Sequence, residues 1–329
     1  MKTRSLVVVW RVTERCNLGC KFCAYDRAVE RSRRDADPAS ILAFGSVLGE
    51  YSREIGIPIL VSWLGGEPLI WQPLTKLTTS FRNWGLKIST TTNGAVLGSP
   101  QMRAHLLEHY SEITVSVDGL GAVHDASRGW AGGFDILRRG VRALSEVKRE
   151  RGVGPLLRAN VVLMRETVHQ FPALCRELAE WGITEITFNQ LGGNDRPEFY
   201  PANRLRTDQV AWLAEELPAL SAELALCGVR LAGGSDYLRR IDASSRDLRI
   251  AVEDCRPGED FLFIDETGLA APCSFTGAAY GVPIAELRSA RDLRDLPARF
   301  RAMQRCRREA ACEDCHSTRV FEKFALTNA

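Results

Sequence analysis

Three cysteines stand close together near the N-terminus, in the run Glu14-Arg15-Cys16-Asn17-Leu18-Gly19-Cys20-Lys21-Phe22-Cys23, with no histidine among them. Thiolates at this spacing form a soft metal-binding set. A structural zinc site closes with four ligands, and this loop offers three, so a zinc reading needs a distant histidine such as His124 or His169. A cubane iron–sulfur cluster has four irons, so three thiolates leave one iron open to a small molecule.

Four further cysteines, Cys255, Cys273, Cys312 and Cys315, gather toward the C-terminus, and Cys306 lies near the last pair. Four thiolates make a closed set. They suit structural zinc, or a fully ligated cluster whose natural role is electron transfer. Cys175 and Cys227 fall where helical patterns place apolar residues, and both are expected to be buried structural thiols.

The elements that must position these thiols alternate. Short β-branched runs at Leu6 to Val12, Ile59 to Trp63, Lys87 to Thr92, Ile113 to Val117, Arg158 to Leu163 and Glu185 to Asn189 are separated by helical patterns. The clearest of these carries Phe134, Leu137, Val141, Leu144 and Val147. Such β/α alternation predicts an α/β fold with a parallel sheet, open or curled into a partial barrel. The loops favour the barrel. The cysteine run follows the first strand, Gly65-Gly66-Glu67-Pro68 the second, Thr91-Thr92-Asn93-Gly94 the third and Asp118-Gly119 the fourth. In α/β barrels the chemistry gathers at the C-terminal strand ends.

Gly192 to Asn203 breaks this alternation, helical text continues to about residue 227, and Phe261 to Cys273 reads as a hairpin turning at Glu266 to Gly268. The expected units are therefore 1–200 (barrel), 201–250 (helical connection) and 251–329 (a small cysteine-rich C-terminal domain).

The chain has 329 residues, 45% of them hydrophobic and 26% charged, which is enough to build a large core. Its 37 arginines and six lysines are interleaved with 41 acidic residues, leaving a net charge of +2 and no basic stripe for a nucleic acid. The N-terminal apolar run is too short for a signal peptide and reads as a strand, and no stretch approaches a membrane span. Without export, ten cysteines point to metal rather than disulfides, and to a cytoplasmic protein.

The run Cys16-Asn-Leu-Gly-Cys20-Lys-Phe-Cys23, with Gly65-Gly66-Glu67-Pro68 one β/α unit later, resembles the radical S-adenosylmethionine (SAM) superfamily, whose cluster loop is C-x3-C-x2-C after the first strand of a partial (β/α)6 TIM-like barrel. The resemblance implies a 4Fe-4S cluster on Cys16, Cys20 and Cys23, and SAM chelated at the open iron. One electron, from a flavodoxin- or ferredoxin-type donor, would then give a 5′-deoxyadenosyl radical that abstracts a substrate hydrogen. Phe22 falls at the position the family sets against adenine. Gly65, Gly66 and Glu67 fall in its methionine-binding motif, where glycines permit close backbone approach and a carboxylate can accept from an ammonium. Ser116 to Asp135 looks like a further family stretch. The resemblance places Ser116 near the methionine carboxylate or ribose, Thr92 and Asn93 in the third-strand loop, and Asn160 at a position often used to hold the ribose.

Cys255 is followed by 12 residues to Gly268 and four more to Cys273, which resembles the opening of the SPASM and Twitch auxiliary-cluster domains. Only 14 residues follow Cys315, favouring the one-cluster Twitch form with Cys255, Cys273, Cys312 and Cys315 as ligands of a second 4Fe-4S cluster. Cys306 is a candidate for a replacement ligand, a core thiol or a hydrogen donor to a substrate radical. His316 is a candidate replacement ligand or an exposed neighbour.

Two reaction types follow from the resemblance. One oxidises or epimerises a sugar- or aminocyclitol-type small molecule in natural-product biosynthesis. The other modifies a ribosomally synthesised peptide; a first strand beginning near Leu6 leaves no room for a leader-binding domain and counts against it. A zinc-stabilised binding module is the non-enzymatic alternative. Arg158, Tyr237, Asp260 and the Gly192 to Asn203 segment are candidate site-lining groups.

Overall fold

The computed structural model describes residues 5–193 and 195–327. Asn194, inside one candidate site segment, lies outside the described residues.

Six strands form at the expected places: β1 (Leu6–Thr13), β2 (Ile59–Gly65), β3 (Lys87–Thr92), β4 (Glu112–Ser116), β5 (Leu156–Leu163) and β6 (Glu185–Gln190). Each is parallel to the next and hydrogen-bonded in chain order. The crossovers carry α1 (Pro38–Ile55), α2 (Leu74–Asn83), α3 (Pro100–His109), α4 (Ala122–Arg128), α5 (Gly133–Arg151) and α6 (Phe171–Glu180). Helix α1 starts where the Asp37 side chain accepts from the Ala39 and Ser40 amides, and stops at left-handed Gly56. Strand β1 does not pair with β6, so the α/β fold is a partial barrel, as expected.

Alternation along the strands separates two chemistries. Leu6, Val8, Trp10 and Val12 of β1 are buried on the helix-facing side. There Trp10 meets Phe44 of α1, Trp63 of β2 and Phe81 of α2, with ring centroids 5.8, 5.9 and 6.2 Å away. The other side is largely polar. Registers Thr114↔Arg158, Ser116↔Asn160, Asn160↔Thr187 and Val162↔Asn189 put these residues on one face, which is the barrel interior.

The chain between the barrel and the cysteine-rich region holds α7 (Tyr200–Asn203), α8 (Thr207–Leu226), the two-residue β7 (Arg230–Leu231) and α9 (Ser235–Ser245). Strand β7 extends the sheet beyond β6, a pairing too short to leave a periodic signal. Cys227 is not buried as expected: α8 ends at Leu226, Gly228 turns the chain with a positive φ, and the thiol projects past the core into solvent. Cys175 is fully buried in α6.

The expected hairpin forms as β8 (Phe261–Ile264) and β9 (Leu269–Ala271), joined by β10 (Val282–Pro283). Strand β8 pairs in parallel with β1, so these strands continue the barrel sheet from its open edge. Helices α10 (Gly277–Tyr280), α11 (Ala290–Cys306) and α12 (Ala310–Glu313) carry the chain to the last cysteines. Among the described residues no helix is long and apolar enough to cross a membrane.

Replacing fully buried Trp10 with alanine removes the ring shared by Phe44, Trp63 and Phe81. The expected cost is about 3–5 kcal/mol, read as a lower denaturation midpoint in guanidinium.

Candidate functional site

The cysteine loop is fixed where it leaves β1. The Gly66 amide donates to the Thr13 carbonyl and the Glu67 amide to the Arg15 carbonyl, both at 2.8 Å. A Cβ on Gly65 would lie 2.3 Å from the Thr13 oxygen, and one on Gly66 would lie 2.2 Å from the Arg15 oxygen. These two positions therefore exclude any side chain. The close approach that the glycines permit is to the residues immediately before Cys16.

Glu67 is completely buried. Its carboxylate accepts from the Leu69 amide (3.1 Å), the Thr92 hydroxyl (2.8 Å) and the Asn93 amide (2.6 Å), while burial pushes its pKa up to about 7. Both oxygens are thus engaged within the protein. Asn93 in turn donates from Nδ2 to Asn17 Oδ1 at 2.8 Å and lies 3.8 Å from Cys16 Sγ. The loops after β1, β2 and β3 form one hydrogen-bonded unit.

From the other side, Arg128 at the end of α4 reaches the same loop. Its guanidinium pairs with Asp118 at 2.7 Å, lies 3.9 Å from Cys20 Sγ and covers the Phe22 ring at 5.4 Å. Burial raises the thiol pKa values of Cys16, Cys20 and Cys23, taking Cys20 to about 12 against the lowering effect of Arg128. Cys23, Cys16 and Asp118 push Cys20 further up, so the three thiols stand within electrostatic reach of one another. Such thiols ionise when a metal coordinates them.

Of the histidines that a zinc reading would draw on, His124 is engaged through one ring nitrogen only, its Nε2 being buried without a hydrogen-bond partner among the described residues. His124 accepts from the Asp118 amide at 3.3 Å and packs against Phe134; burial, then Arg128, pushes its pKa down to about 3. His169 packs against Trp212 with ring centroids 4.4 Å apart and the ring planes tilted by 60°.

Deeper in the barrel, Ser116 lies opposite Asn160. Asn160 Oδ1 accepts from Asn189 Nδ2 at 3.2 Å and from Lys323 Nζ at 2.9 Å, and the Tyr237 hydroxyl donates to Asn189 Oδ1 at 3.2 Å. Arg158 is paired with Glu185 and with Glu112. Asp260 pairs with Arg319 and Arg256, while its carbonyl accepts from the Val7 amide. The segment after Gly192 returns to the cysteine loop, where Arg196 pairs with Asp26 at 3.2 Å.

Cys255, Cys273, Cys312 and Cys315 line one cleft that opens to solvent. Gln304 Nε2 donates to Cys255 Sγ at 3.6 Å, and the Thr276 hydroxyl lies 3.3 Å from Cys273 Sγ. Burial pushes Cys315 up to about 11, and Cys273, Cys255 and Cys312 add to that rise, so the four thiols are mutual neighbours. Among the described residues no group of three or more His, Cys, Asp or Glu converges tightly enough for a single metal ion. Cys306 is exposed at the end of α11, outside the lining of this cleft. His316 faces Asp314 at 3.3 Å.

Sequence reasoning passed over Arg128, Lys323 and Arg11, which donates to the Tyr25 hydroxyl and pairs with Glu266 of the β8–β9 turn. One signal was available for Lys323: it is the only lysine after Lys148 in an arginine-rich chain.

Residues 10–178 match the family model described as the Radical SAM superfamily. A PqqA peptide cyclase of Xanthomonas campestris pv. campestris is 26% identical over 324 residues, covering 94% of this chain and 79% of its own. The Fe-coproporphyrin III synthase of Methanosarcina barkeri is 30% identical over 192 residues, 58% of this chain and 45% of its own, so the match spans about half of that relative. Streptococcus suis SuiB bound to precursor peptide SuiA has the same fold, with a TM-score of 0.62 at 18% identity over 83% of this chain and 60% of its own. So does anSMEcpe with bound AdoMet, with a TM-score of 0.64 at 15% identity over 97% and 88%.

Gly66→Ala sets a methyl group against the Arg15 carbonyl and opens the clasp ahead of Cys16. A loss of about 2 kcal/mol in stability and a lower iron content after anaerobic reconstitution are expected. Wild-type values for both would show that the clasp does not position the loop.

Proposed function

Because the chain belongs to the Radical SAM superfamily, we propose that it is an enzyme of that superfamily with a second, closed cluster, removing a hydrogen atom and then an electron from its substrate. The superfamily brings with it a 4Fe-4S cluster and SAM. Cys16, Cys20 and Cys23 would hold that cluster, and Cys255, Cys273, Cys312 and Cys315 the auxiliary one. When bound, the first cluster and SAM supply a 5′-deoxyadenosyl radical, and the auxiliary cluster supplies an electron acceptor.

The single observation that carries the auxiliary cluster is four thiols from three separate segments lining one cleft. A space ringed in this way suits a polynuclear cluster, and a complete thiolate set leaves no open coordination position, which fits electron transfer. Around the first cluster, the chain's own contribution is positional. The Gly66 and Glu67 amides hold the entry to the loop, Asn93 braces Asn17, and Arg128 places a positive charge beside Cys20.

For the substrate, we propose a peptide, crosslinked or altered by the radical. The support is the alignment with a peptide cyclase across nearly the whole chain, auxiliary region included. A second reading, dehydrogenation or epimerisation of a sugar- or aminocyclitol-type molecule, is favoured by the polar inner face carrying Asn160, Asn189 and Tyr237, which suits a hydroxylated ligand. A flavodoxin- or ferredoxin-type protein would supply the initiating electron in either case.

Anaerobic reconstitution should bind about eight irons per chain, and Cys273→Ala should bind about four while still converting SAM to 5′-deoxyadenosine. About four irons in the wild type would sink the auxiliary cluster. Mass spectrometry of candidate precursor peptides incubated with the holoenzyme decides the substrate class: a loss of two hydrogens from a peptide supports the first reading, and unchanged peptides together with an oxidised or epimerised polyol support the second.

A further inference from the structure

Three of the four cysteines that line the C-terminal cleft have their backbone carbonyls held by arginines. Arg319 donates to the Cys255 carbonyl at 2.6 Å, Arg308 to that of Cys312 at 3.4 Å and Arg240 to that of Cys315 at 3.4 Å. The side chains of Arg308 and Arg319 are partly in water, whereas that of Arg240 is 1% exposed.

Arg240 lies on α9, in the connection between the barrel and the cysteine-rich region, and its guanidinium gathers four partners. One terminal nitrogen pairs with Asp314 and reaches the Cys315 carbonyl. The other donates to the Ser244 hydroxyl at 3.0 Å and to the Leu248 carbonyl at 3.1 Å. Asp314 also accepts from the Ile250 amide at 3.2 Å, and the Cys315 amide donates to the Ile250 carbonyl at 2.8 Å. The Cys312–Cys315 turn is thus docked on residues 248–250 through one buried cation. Apolar packing could hold such a turn without the cost of taking a charge out of water, so the charge itself calls for a use.

The ion pair is not symmetrical. The Asp314 side chain is 33% exposed and also faces His316 at 3.3 Å, while Arg240 has no access to water. Water screens the carboxylate more than the guanidinium, so the buried end of the pair is its positive end. A four-iron cluster on four thiolates carries excess negative charge, and reduction adds one more. A buried cation at the ligand loop favours the reduced state and raises the potential.

We propose that Arg240 is a positioning residue that seats the Cys312–Cys315 turn and raises the reduction potential of the cluster bound there, suiting that cluster to accept an electron. This rests on the reading that Cys255, Cys273, Cys312 and Cys315 hold an auxiliary cluster. The planar guanidinium serves a carboxylate, a hydroxyl and two carbonyls at once, which a single ammonium cannot do.

The full-length chain is reconstituted anaerobically and its iron counted. The midpoint potential of the second cluster is read by electron paramagnetic resonance during a dithionite titration, in a chain whose first cluster is removed by Cys16→Ala, Cys20→Ala and Cys23→Ala. Arg240→Gln should lower the potential. Asp314→Asn, whose amide oxygen can still accept from Arg240 and the Ile250 amide, should raise it. Each shift should be about tenfold in the reduction equilibrium, or ~59 mV for one electron. Arg240→Lys keeps the charge and should stay nearer the wild-type potential than Arg240→Gln. Unchanged potentials in Arg240→Gln and Asp314→Asn, or shifts of the same sign, overturn the assignment. Should Arg240→Gln lose the second cluster, Asp314→Asn decides alone: a rise supports the assignment, and no shift, a fall or loss of the cluster overturns it. About four irons in the wild type would instead remove the auxiliary cluster itself.

Discussion

The amides of Gly66 and Glu67 bond to the carbonyls of Thr13 and Arg15, and at this clasp the parallel sheet passes into the cysteine loop. It prolongs the β1–β2 pairing beyond the strand ends, at a spacing that two glycines alone permit. Rigid strands thereby set where Cys16 begins. Glu67 passes the constraint sideways, since its buried carboxylate holds the β3 loop and Asn93 reaches back from that loop to Asn17. A site placed on strand ends in this way gains precision from the scaffold beneath it.

Around the clasp, burial sets the electrostatics. The Asp118–Arg128 pair sits out of water beside Cys20, where the guanidinium offsets part of what burial does to the thiols. A lone buried charge at this place would be costly, and pairing lets Arg128 stay charged against the loop. The barrel interior follows the same logic with a different result. Arg158 takes the available carboxylates, so Lys323 is left beside a cation and shifts toward its neutral form.

The C-terminal region is tied to the barrel rather than appended to it. Strand β8 adds to β1, Glu266 in the following turn pairs with Arg11 on the barrel's inner face, and the last described residues return to β7. Neither β1 nor β6 is therefore left as a sheet edge, and the pairing of β8 with β1 fixes the second group of cysteines relative to the first.

The sequence by itself determined the six strands, their parallel order, the cysteine spacing and the glycine motif. Each of these is local: alternation marks a strand, and ligand spacing within one loop does not depend on the rest of the chain. The tertiary structure alone decided what depends on distant partners. Nothing near Gly66 in sequence shows that its neighbour is the carbonyl of Arg15, and nothing around Arg128 points to Cys20. Cys227 follows the helical period yet lies in solvent, because the helix ends one residue before it. Lys323 carries no local signal of its partner, and only the pairing of its segment with the strand edge brings its amine to Asn160. Burial and charge are sums over the whole fold, so no window of sequence contains them.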